Sequence, residues 1–205
     1  LGGHVLDKIE IVLNRQQEQF TDFLNPYQRK IAVGLVEQIN DINFFQSGGY
    51  DRAERKRIVI FPDYLFPDHI EAPISIFKIN GNFNFRSLSH KDFLGAIMGL
   101  GIKRKKIGDL LVLDEFSQVI VSKEIEKVIK MKLKKVHEVP VELEKISSED
   151  IIIPTQNVKE IQATVSSMRL DAVASAGFGD SRNKISRDIK NEKVKLNWKP
   201  ETDAD

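Results

Sequence analysis

Apolar residues recur at helical spacing in the first forty positions of the chain and therefore predict two helices. The first helix is indicated by Leu6, Ile9, Val12 and Leu13. The second is predicted to begin at Asn25 as its N-cap and Pro26 in its first turn, because proline is tolerated where the helical N–H groups have no partner. Its apolar face carries Ile31, Leu35 and Ile39.

Two short apolar runs follow and have the length of strands. They are Phe44–Phe45 and Ile58–Phe61, separated by the Gly48-Gly49 pair. The glycines indicate a turn, and a phosphate cradle is the weaker alternative since the Lys-Ser/Thr of a nucleotide-binding loop is missing. The nearby cations Arg55 and Arg57 are candidates for a secondary RNA contact, although a basic run is usually a solvated face.

The middle of the chain, after Pro62, Pro67 and Pro73, alternates between strand and helix patterns. The predicted elements are a strand at 74–79, a turn at 80–82, a strand at 83–86, a helix at 93–100 begun by Ser89 and Asp92, a strand at 107–113, a strand at 118–121, a helix at 123–133 and a strand at 139–143. Two strand–helix alternations predict an α+β sandwich of the RNA-recognition-motif kind. Phe83 and Phe85 are candidates for stacking on bases, but burial in the core is the favoured use.

The segment from Met168 to Trp198 combines two short helical patterns with a dense positive charge. Arg169-Leu170-Asp171 opens the first helix, a turn is predicted at 177–179, and Ser181-Arg182 opens the second helix before a basic strand at 193–197. Between Ser181 and Lys199 seven basic residues stand against two acidic ones, a local net charge of +5. Such a field is what binding to a phosphate backbone requires.

Composition narrows the class of protein. The 205 residues have a formal net charge of only +1, so a nucleic-acid surface has to be segregated from the rest of the chain. The absence of cysteine removes disulfides and thiolate metal sites. No apolar run approaches the ~20 residues needed to span a bilayer, and no signal peptide is visible. A cytoplasmic protein without membrane attachment is expected.

Motifs of catalysis are missing from the sequence. The four histidines are scattered, no nucleophile elbow or dinucleotide fingerprint is present, and Asp171 stands in a segment too short for a synthase domain. We therefore expect no enzyme activity, no metal and no cofactor.

The C-terminal segment resembles the small RNA-binding module first described in ribosomal protein S-four. The matching residues are Arg169, Leu170, Asp171, Gly177, Ser181, Arg182, Val194 and Asn197, whereas Glu192 stands where the module usually has Gly. The module's closing strands are missing after Asp205 and the chain does not begin with Met, so trimming at both ends is expected. The RNA-binding residues predicted here are Arg169, Ser181, Arg182, Lys184, Arg187, Lys193 and Lys195.

Each of these residues also has a structural interpretation. Ser181 fits the N-cap of its helix, and Asp171 fits a partner for the helix dipole and for an arginine. Arg182, in contrast, is a cation in the first turn of a helix, where the dipole disfavours it. An external phosphate docked at that helix terminus is the predicted reason.

A wider resemblance covers essentially the whole chain. It rests on Gly48–Tyr50 with Ala53–Arg57, on Gly101–Asp109 and on Lys193–Lys199, which are similar to the YlmH family of bacterial RNA-binding proteins. The resemblance implies an α+β chain with three domains: an N-terminal domain at 1–72, a middle domain like an RNA-recognition motif at 73–155, and an incomplete S-four-type helix–helix–strand domain at 163–205.

The function implied by the resemblance is binding to the large ribosomal subunit during quality control of stalled nascent chains. The partners would be ribosomal RNA and peptidyl-tRNA, bound by a monomer. The basic run Lys103, Arg104, Lys105 and Lys106 is a further candidate for RNA contact, since four consecutive cations repel one another unless an anion neutralises them. The alternative is a scaffold of the cell-division machinery that binds a protein partner.

Overall fold

The computed structural model describes residues 1–83, 88–155 and 160–204, and within them the chain divides into two units, Leu1–Pro154 and Thr155–Asp205. The mixture of helices and sheets confirms the α+β class. Positions 84–86 of the strand predicted at 83–86, and with them the base-stacking role considered for Phe85, lie outside the described residues. None of the helices in the described ranges is long and apolar enough to cross a membrane.

The first part of the larger unit is a small sheet covered by two helices. Its elements are α1 (Gly2–Arg15), β1 (Gln19–Phe20), α2 (Pro26–Val36), β2 (Ile42–Ser47) and β3 (Arg57–Pro62). The strands lie in the antiparallel order β1-β3-β2. Helix α1 buries Val5, Ile9 and Val12 against this sheet, while Leu6 and Leu13, expected on the same stripe, are exposed.

Helix α2 begins as the sequence predicts. The Asn25 Oδ1 accepts a hydrogen bond from the Gln28 backbone N–H at 2.8 Å, and the Gln28 side chain accepts one from the Asn25 N–H at 3.1 Å. This reciprocal capping box satisfies two backbone donors that a helix start otherwise leaves free. The buried face of the helix carries Ala32 and Val36, and Ile31 points to solvent.

The second part of the same unit is a larger sheet with two helices. Its elements are β4 (Ile74–Gly81), α3 (His90–Gly99), β5 (Ile107–Val112), β6 (Phe116–Ser122), α4 (Glu126–Lys132), β7 (Lys135–Val136) and β8 (Val139–Ile146). Among the described residues the sheet has five antiparallel strands in the order β5-β6-β4-β8-β7. One face packs on α3 and α4 around Phe77, Phe93, Ile97 and Ile129.

The turn predicted at 80–82 is wrong in its first two residues. Asn80 and Gly81 continue β4, where Asn80 pairs with both Phe116 and Glu142, and Gly81 pairs with Val141. Both edges of β4 are therefore occupied by β6 and β8, so no edge is left for a hairpin partner. Asn-Gly is a local signal, and here the non-local pairing of the sheet overrides it.

The smaller unit is a helical pair followed by a hairpin. Its elements are α5 (Leu170–Phe178), α6 (Arg182–Lys190), β9 (Lys195–Leu196) and β10 (Lys199–Pro200). Ala174, Ile185 and Ile189 form its core, with Leu170 and Val194 partly buried against it. Helix α5 extends two residues into the turn predicted at 177–179 and ends at Phe178, followed by the C-cap Gly179, whose φ of 69° is readily adopted by glycine.

The basic strand predicted at 193–197 is shorter in the structure. Asn197 and Trp198 have φ values of 49° and 69° and connect β9 to β10, in which Leu196 pairs with Lys199. Two successive left-handed residues are what a two-residue hairpin turn of type I′ requires. The turn places the Trp198 ring at the tip of the hairpin, next to Lys195.

Candidate nucleic-acid interface

A buried carboxylate joins the two helices of the smaller unit. Asp171 is only 5 % exposed, and its Oδ1 accepts hydrogen bonds from Arg169 Nε at 3.2 Å and from Arg182 Nη2 at 3.1 Å. Its Oδ2 also accepts a hydrogen bond from Ser186 Oγ at 3.3 Å. The hydrogen bonds from Arg169 and then Arg182 lower the pKa of Asp171 despite the opposing effect of its burial. The expected role of Asp171 as an arginine partner is confirmed.

The external phosphate predicted as the reason for Arg182 is therefore corrected. A cation in the first turn of α6 does not require an external phosphate, because Asp171 of α5 supplies the negative charge at 3.1 Å. Nearly half of the Arg182 side chain, 48 %, stays exposed. Contact between Arg182 and RNA remains a prediction, but the side chain also has a structural role.

Ser181 caps α6 as the sequence predicts. Its Oγ accepts a hydrogen bond from the Lys184 backbone N–H at 3.3 Å. The Lys184 ammonium lies 2.7 Å from Asp180 Oδ1, one helical turn earlier, and this contact raises the pKa of Lys184. Both groups lie at the surface, where such an ion pair contributes little to stability.

The cations that follow on α6 and the hairpin also lie at the surface. Arg187, Lys193 and Lys195 are all exposed. The Lys193 ammonium lies 3.4 Å from Asp188, and the Lys195 ammonium lies 5.9 Å from the centre of the Trp198 ring. The sequence reasoning missed Trp198 as a functional candidate, although an aromatic residue among lysines is a recognisable pattern for stacking on bases.

The backbone conformation at Glu192 explains why the S-four-type module usually has a glycine at this position. Its φ is 58°, a left-handed backbone that residues with a Cβ adopt at a cost. The turn after α6 is therefore left-handed at Glu192 even though the glycine is absent.

The second basic region consists of Arg55, Arg57 and Lys103–Lys106 of the larger unit. Most of its side chains bond to other groups of the protein. Arg57 is 2 % exposed, and its guanidinium donates to the carbonyl oxygens of Thr21 at 2.6 Å and Pro73 at 2.8 Å. It also contacts Glu124 Oε1 at 3.3 Å. A buried cation needs such partners. Arg57 thus bridges the two sheets of this unit, and its burial leaves little surface for the RNA contact predicted for it.

Arg55 and Arg104 are also held by backbone carbonyls. Arg55 donates to the Phe23 oxygen at 2.9 Å and to the Ile107 oxygen at 3.2 Å, and Arg104 donates to the Ile107 oxygen at 2.6 Å. Burial and the neighbouring Arg104 lower the pKa of Arg55 to about 10. Both guanidinium groups are partly exposed, so their positions are fixed while contact with a partner remains open to them.

The remaining cations of the basic run face two carboxylates. Lys105 and Lys106 lie 2.9 and 2.8 Å from the oxygens of Asp22, and Lys106 also binds Glu124. The anion that neutralises the run therefore comes in part from the protein itself, which corrects the expectation of a self-repelling loop. Residues 104–106 form a single 3-10 turn. Lys103 is exposed before it.

In the Gly48-Gly49 pair, Gly48 allows close packing and Gly49 forms a turn. A Cβ at Gly48 would lie 2.4 Å from that of Ala53, and Gly49 has a φ of 92°. The turn is bound to β5 through Asp109, which accepts hydrogen bonds from the Tyr50 hydroxyl at 2.8 Å and the Glu54 N–H at 2.7 Å. Burial, followed by the hydrogen bond to Asp109, raises the pKa of Tyr50. The turn interpretation is thereby supported over the phosphate cradle.

The second face of the large sheet is covered at its centre. Phe23 and Tyr50 of the first part pack against Ile76 of β4 and Ile120 of β6. RNA-recognition motifs stack bases on an open sheet face. In this chain the central strands do not offer that face. Phe83 packs into the opposite core, with its ring 5.6 Å from that of Phe93, as favoured from the sequence.

Comparison with known families divides the chain into three matches. Residues 3–65 match the family described as "YlmH, N-terminal", residues 67–150 match "Putative RNA-binding domain in YlmH", and residues 168–205 match "S4 domain". The families matched by the middle and C-terminal segments are RNA-binding domains.

Two individual proteins are similar over most of their length. The "Ribosome-associated protein quality control protein P2" of Bacillus subtilis is 39 % identical over 189 residues, which make up 92 % of this chain and 73 % of that protein. The solved structure of "Cell division protein ylmH from Streptococcus pneumoniae" is 30 % identical, with a TM-score of 0.62, and the match covers 73 % of this chain and 92 % of that one.

Proposed function

Because this chain belongs to the YlmH family, we propose that it is a non-enzymatic RNA-binding protein that acts on the large ribosomal subunit. In this proposal a monomer in the cytoplasm contacts ribosomal RNA and peptidyl-tRNA during quality control of stalled nascent chains. The name of the Bacillus relative supports the process. The RNA-binding families matched by the chain support the kind of partner.

The observation that carries the proposal is a basic surface of exposed cations, Arg187, Lys193 and Lys195, the last of which lies 5.9 Å from the Trp198 ring. The cations supply contacts to phosphates, and the indole at the hairpin tip supplies a plane on which a base stacks. Helices α5 and α6 hold this surface rigidly through the buried Asp171 and the core at Ile185. We extend the surface to residues at the N-termini of α5 and α6, namely Arg169, Ser181, Arg182 and Lys184.

The middle domain contributes in a different way from an RNA-recognition motif. Its order strand–helix–strand–strand–helix–strand–strand resembles that architecture with one added strand, but Phe23 and Tyr50 cover the centre of the sheet face. We therefore place RNA contacts of the larger unit at its basic run, Lys103–Lys106 with Arg55, rather than on its sheet.

Binding of purified large subunits across a salt series tests the proposal. Arg187→Ala is expected to weaken binding by about 1–3 kcal/mol, as for the loss of a charge-assisted contact, and to reduce the slope of log affinity against log salt by about 1. Lys132→Ala, an exposed cation of α4, is the matched control and should leave both values unchanged. Salt-independent binding, or equal effects of the two variants, would overturn the assignment.

The name of the Streptococcus structure favours a second candidate, a scaffold of the cell-division machinery. Capture of partners from cells with and without nuclease separates the two functions. An RNA-dependent protein should lose its ribosomal partners after nuclease treatment, whereas a scaffold should retain a division protein.

A further inference from the structure

The larger unit contains a cavity that the RNA-binding surface of the smaller unit does not use. It has a volume of about 700 Å³ and opens between α1 and the segment that includes β1 and the start of α2. Pockets of roughly 300–1,000 Å³ are the usual size for small-molecule ligands. The cations that line it are Lys8, Arg55, Arg57, Arg104, Lys105 and Lys106.

Positive charge exceeds negative charge around this cavity. The acidic residues on its wall are Asp7, Asp22 and Glu124, against the six cations. Asp22 is already bound by Lys105 and Lys106, and Glu124 by Lys106 and Arg57. Both carboxylates are therefore already paired with other cations, and the Lys8 ammonium lies near those cations. Burial, together with Arg57 and Lys106, lowers the pKa of Lys8 although Asp22 and Glu124 oppose this effect.

The same cavity has an apolar side. Phe20 and Ile11, both half-buried, line it together with the buried Leu24. The buried Arg57 guanidinium lies 6.0 Å from the centre of the Phe20 ring and makes a cation–π contact with it. An apolar wall with an aromatic ring, set beside an excess of cations, fits a ligand with a flat apolar part and a negative charge.

We propose that this cavity binds one phosphorylated nucleotide, with its phosphate on Lys8 and Lys105 and its base against Phe20. The inference rests on the proposed function and deepens it, because it adds a contact for an unpaired nucleotide to the backbone contacts of the smaller unit. The nucleotide is supplied either by the end or a bulge of an RNA or by a free nucleoside monophosphate, since the recognised chemistry is the same.

Calorimetric titration of the full chain with defined probes tests this inference. The probes are adenosine 5′-monophosphate, adenosine, inorganic phosphate and a single-stranded adenine tetranucleotide with a 5′-phosphate. The monophosphate and the tetranucleotide are expected to bind at least about tenfold more tightly than adenosine or phosphate alone, because each of those lacks half of the contacts. Tighter binding of the tetranucleotide than of the monophosphate would assign the site to RNA, and the reverse order would assign it to free nucleotide.

Two variants locate the binding. Lys8→Gln is expected to weaken monophosphate binding about tenfold through the loss of a charge-assisted hydrogen bond, and Phe20→Leu is expected to weaken the monophosphate but not inorganic phosphate. Lys30→Gln, at an exposed cation of α2, is the matched control and should change nothing. Thermal melts of each variant verify that it is folded.

Nucleotide binding and ribosome binding can be lost independently of each other. Arg187→Ala should leave monophosphate binding intact, so a failure of the ribosome assay leaves the cavity measurement valid. The nucleotide site is refuted if no probe binds, if phosphate alone binds as tightly as the monophosphate, or if folded Lys8→Gln binds like the parent chain.

Discussion

At the scale of single residues, the meaning of each cation depends on which carboxylate or carbonyl lies beside it. Arg57 and Arg187 have the same side chain, yet one is buried between two sheets and the other is exposed on α6. A sequence identifies both as candidates for RNA contact, because it displays charge but not burial. The caps at Asn25 and Ser181 were predictable, since their partners lie three residues away in the chain.

Arg182 provides the sharpest prediction at this scale. Arg182→Ala is expected to lower the melting temperature of the smaller unit, because the buried Asp171 carboxylate loses a donor and a buried acceptor left short of partners destabilises the fold. Differential scanning calorimetry of the full chain measures the change. Removing both groups in Arg182→Ala with Asp171→Ala should cost less than the sum of the two single changes.

Arg187→Ala is the control for Arg182, since Arg187 lies one and a half turns further along α6 on the exposed surface. It should leave the melting temperature unchanged. Equal melting temperatures for Arg182→Ala and Arg187→Ala would mean that the contact with Asp171 contributes nothing to stability, and Arg182 would return to a purely RNA-binding role.

At the scale of elements, helices were predictable from local patterns and strand pairing was not. The starts of α2, α3 and α6 follow from caps visible in the sequence. The turn at 80–82 failed because β4 pairs with strands that lie some forty to sixty residues away. The cover over the sheet face was likewise invisible, since it depends on Phe23 reaching Ile120 across distant segments.

The capping box of α2 gives a prediction for an element. Asn25→Ala is expected to lower the free energy of unfolding of the larger unit by about 1 kcal/mol, because the Gln28 N–H loses its acceptor. Asn25→Ser, which keeps an acceptor at the N-cap, should retain most of the stability. Urea unfolding measures both variants, and the slope with urea should stay constant. Equal loss in the alanine and serine variants would contradict a capping role.

At the scale of the whole molecule, a net charge of +1 conceals a chain in which charge is unevenly distributed. The segment from Ser181 to Lys199 carries +5 and exposes most of its cations, whereas Arg55, Arg57, Lys105 and Lys106 of the larger unit are engaged by Asp22, Glu124 and carbonyl groups. The total charge therefore says little about binding. The distribution, fixed by folding, leads us to expect phosphate contacts at a separate surface of each unit.

Loss of the core of the smaller unit should consequently remove one surface and spare the other. Leu170 is only partly buried in this core, whereas Ile185 is 3 % exposed between α5 and α6. Ile185→Ala is expected to destabilise this unit by about 2–5 kcal/mol through the cavity it creates. Hydrogen exchange should increase in α5 and α6, and binding to large subunits should fall with it.

Adenosine 5′-monophosphate should still bind the Ile185→Ala chain at the cavity lined by Lys8 and Phe20, because that site belongs to the larger unit. Ile97→Ala changes a fully buried position of α3 in the larger unit. This variant should increase hydrogen exchange in the larger unit and leave the α5–α6 pair intact. Undiminished ribosome binding by Ile185→Ala, with α5 and α6 shown to be unfolded by exchange, would contradict the assignment of the main RNA surface to the smaller unit.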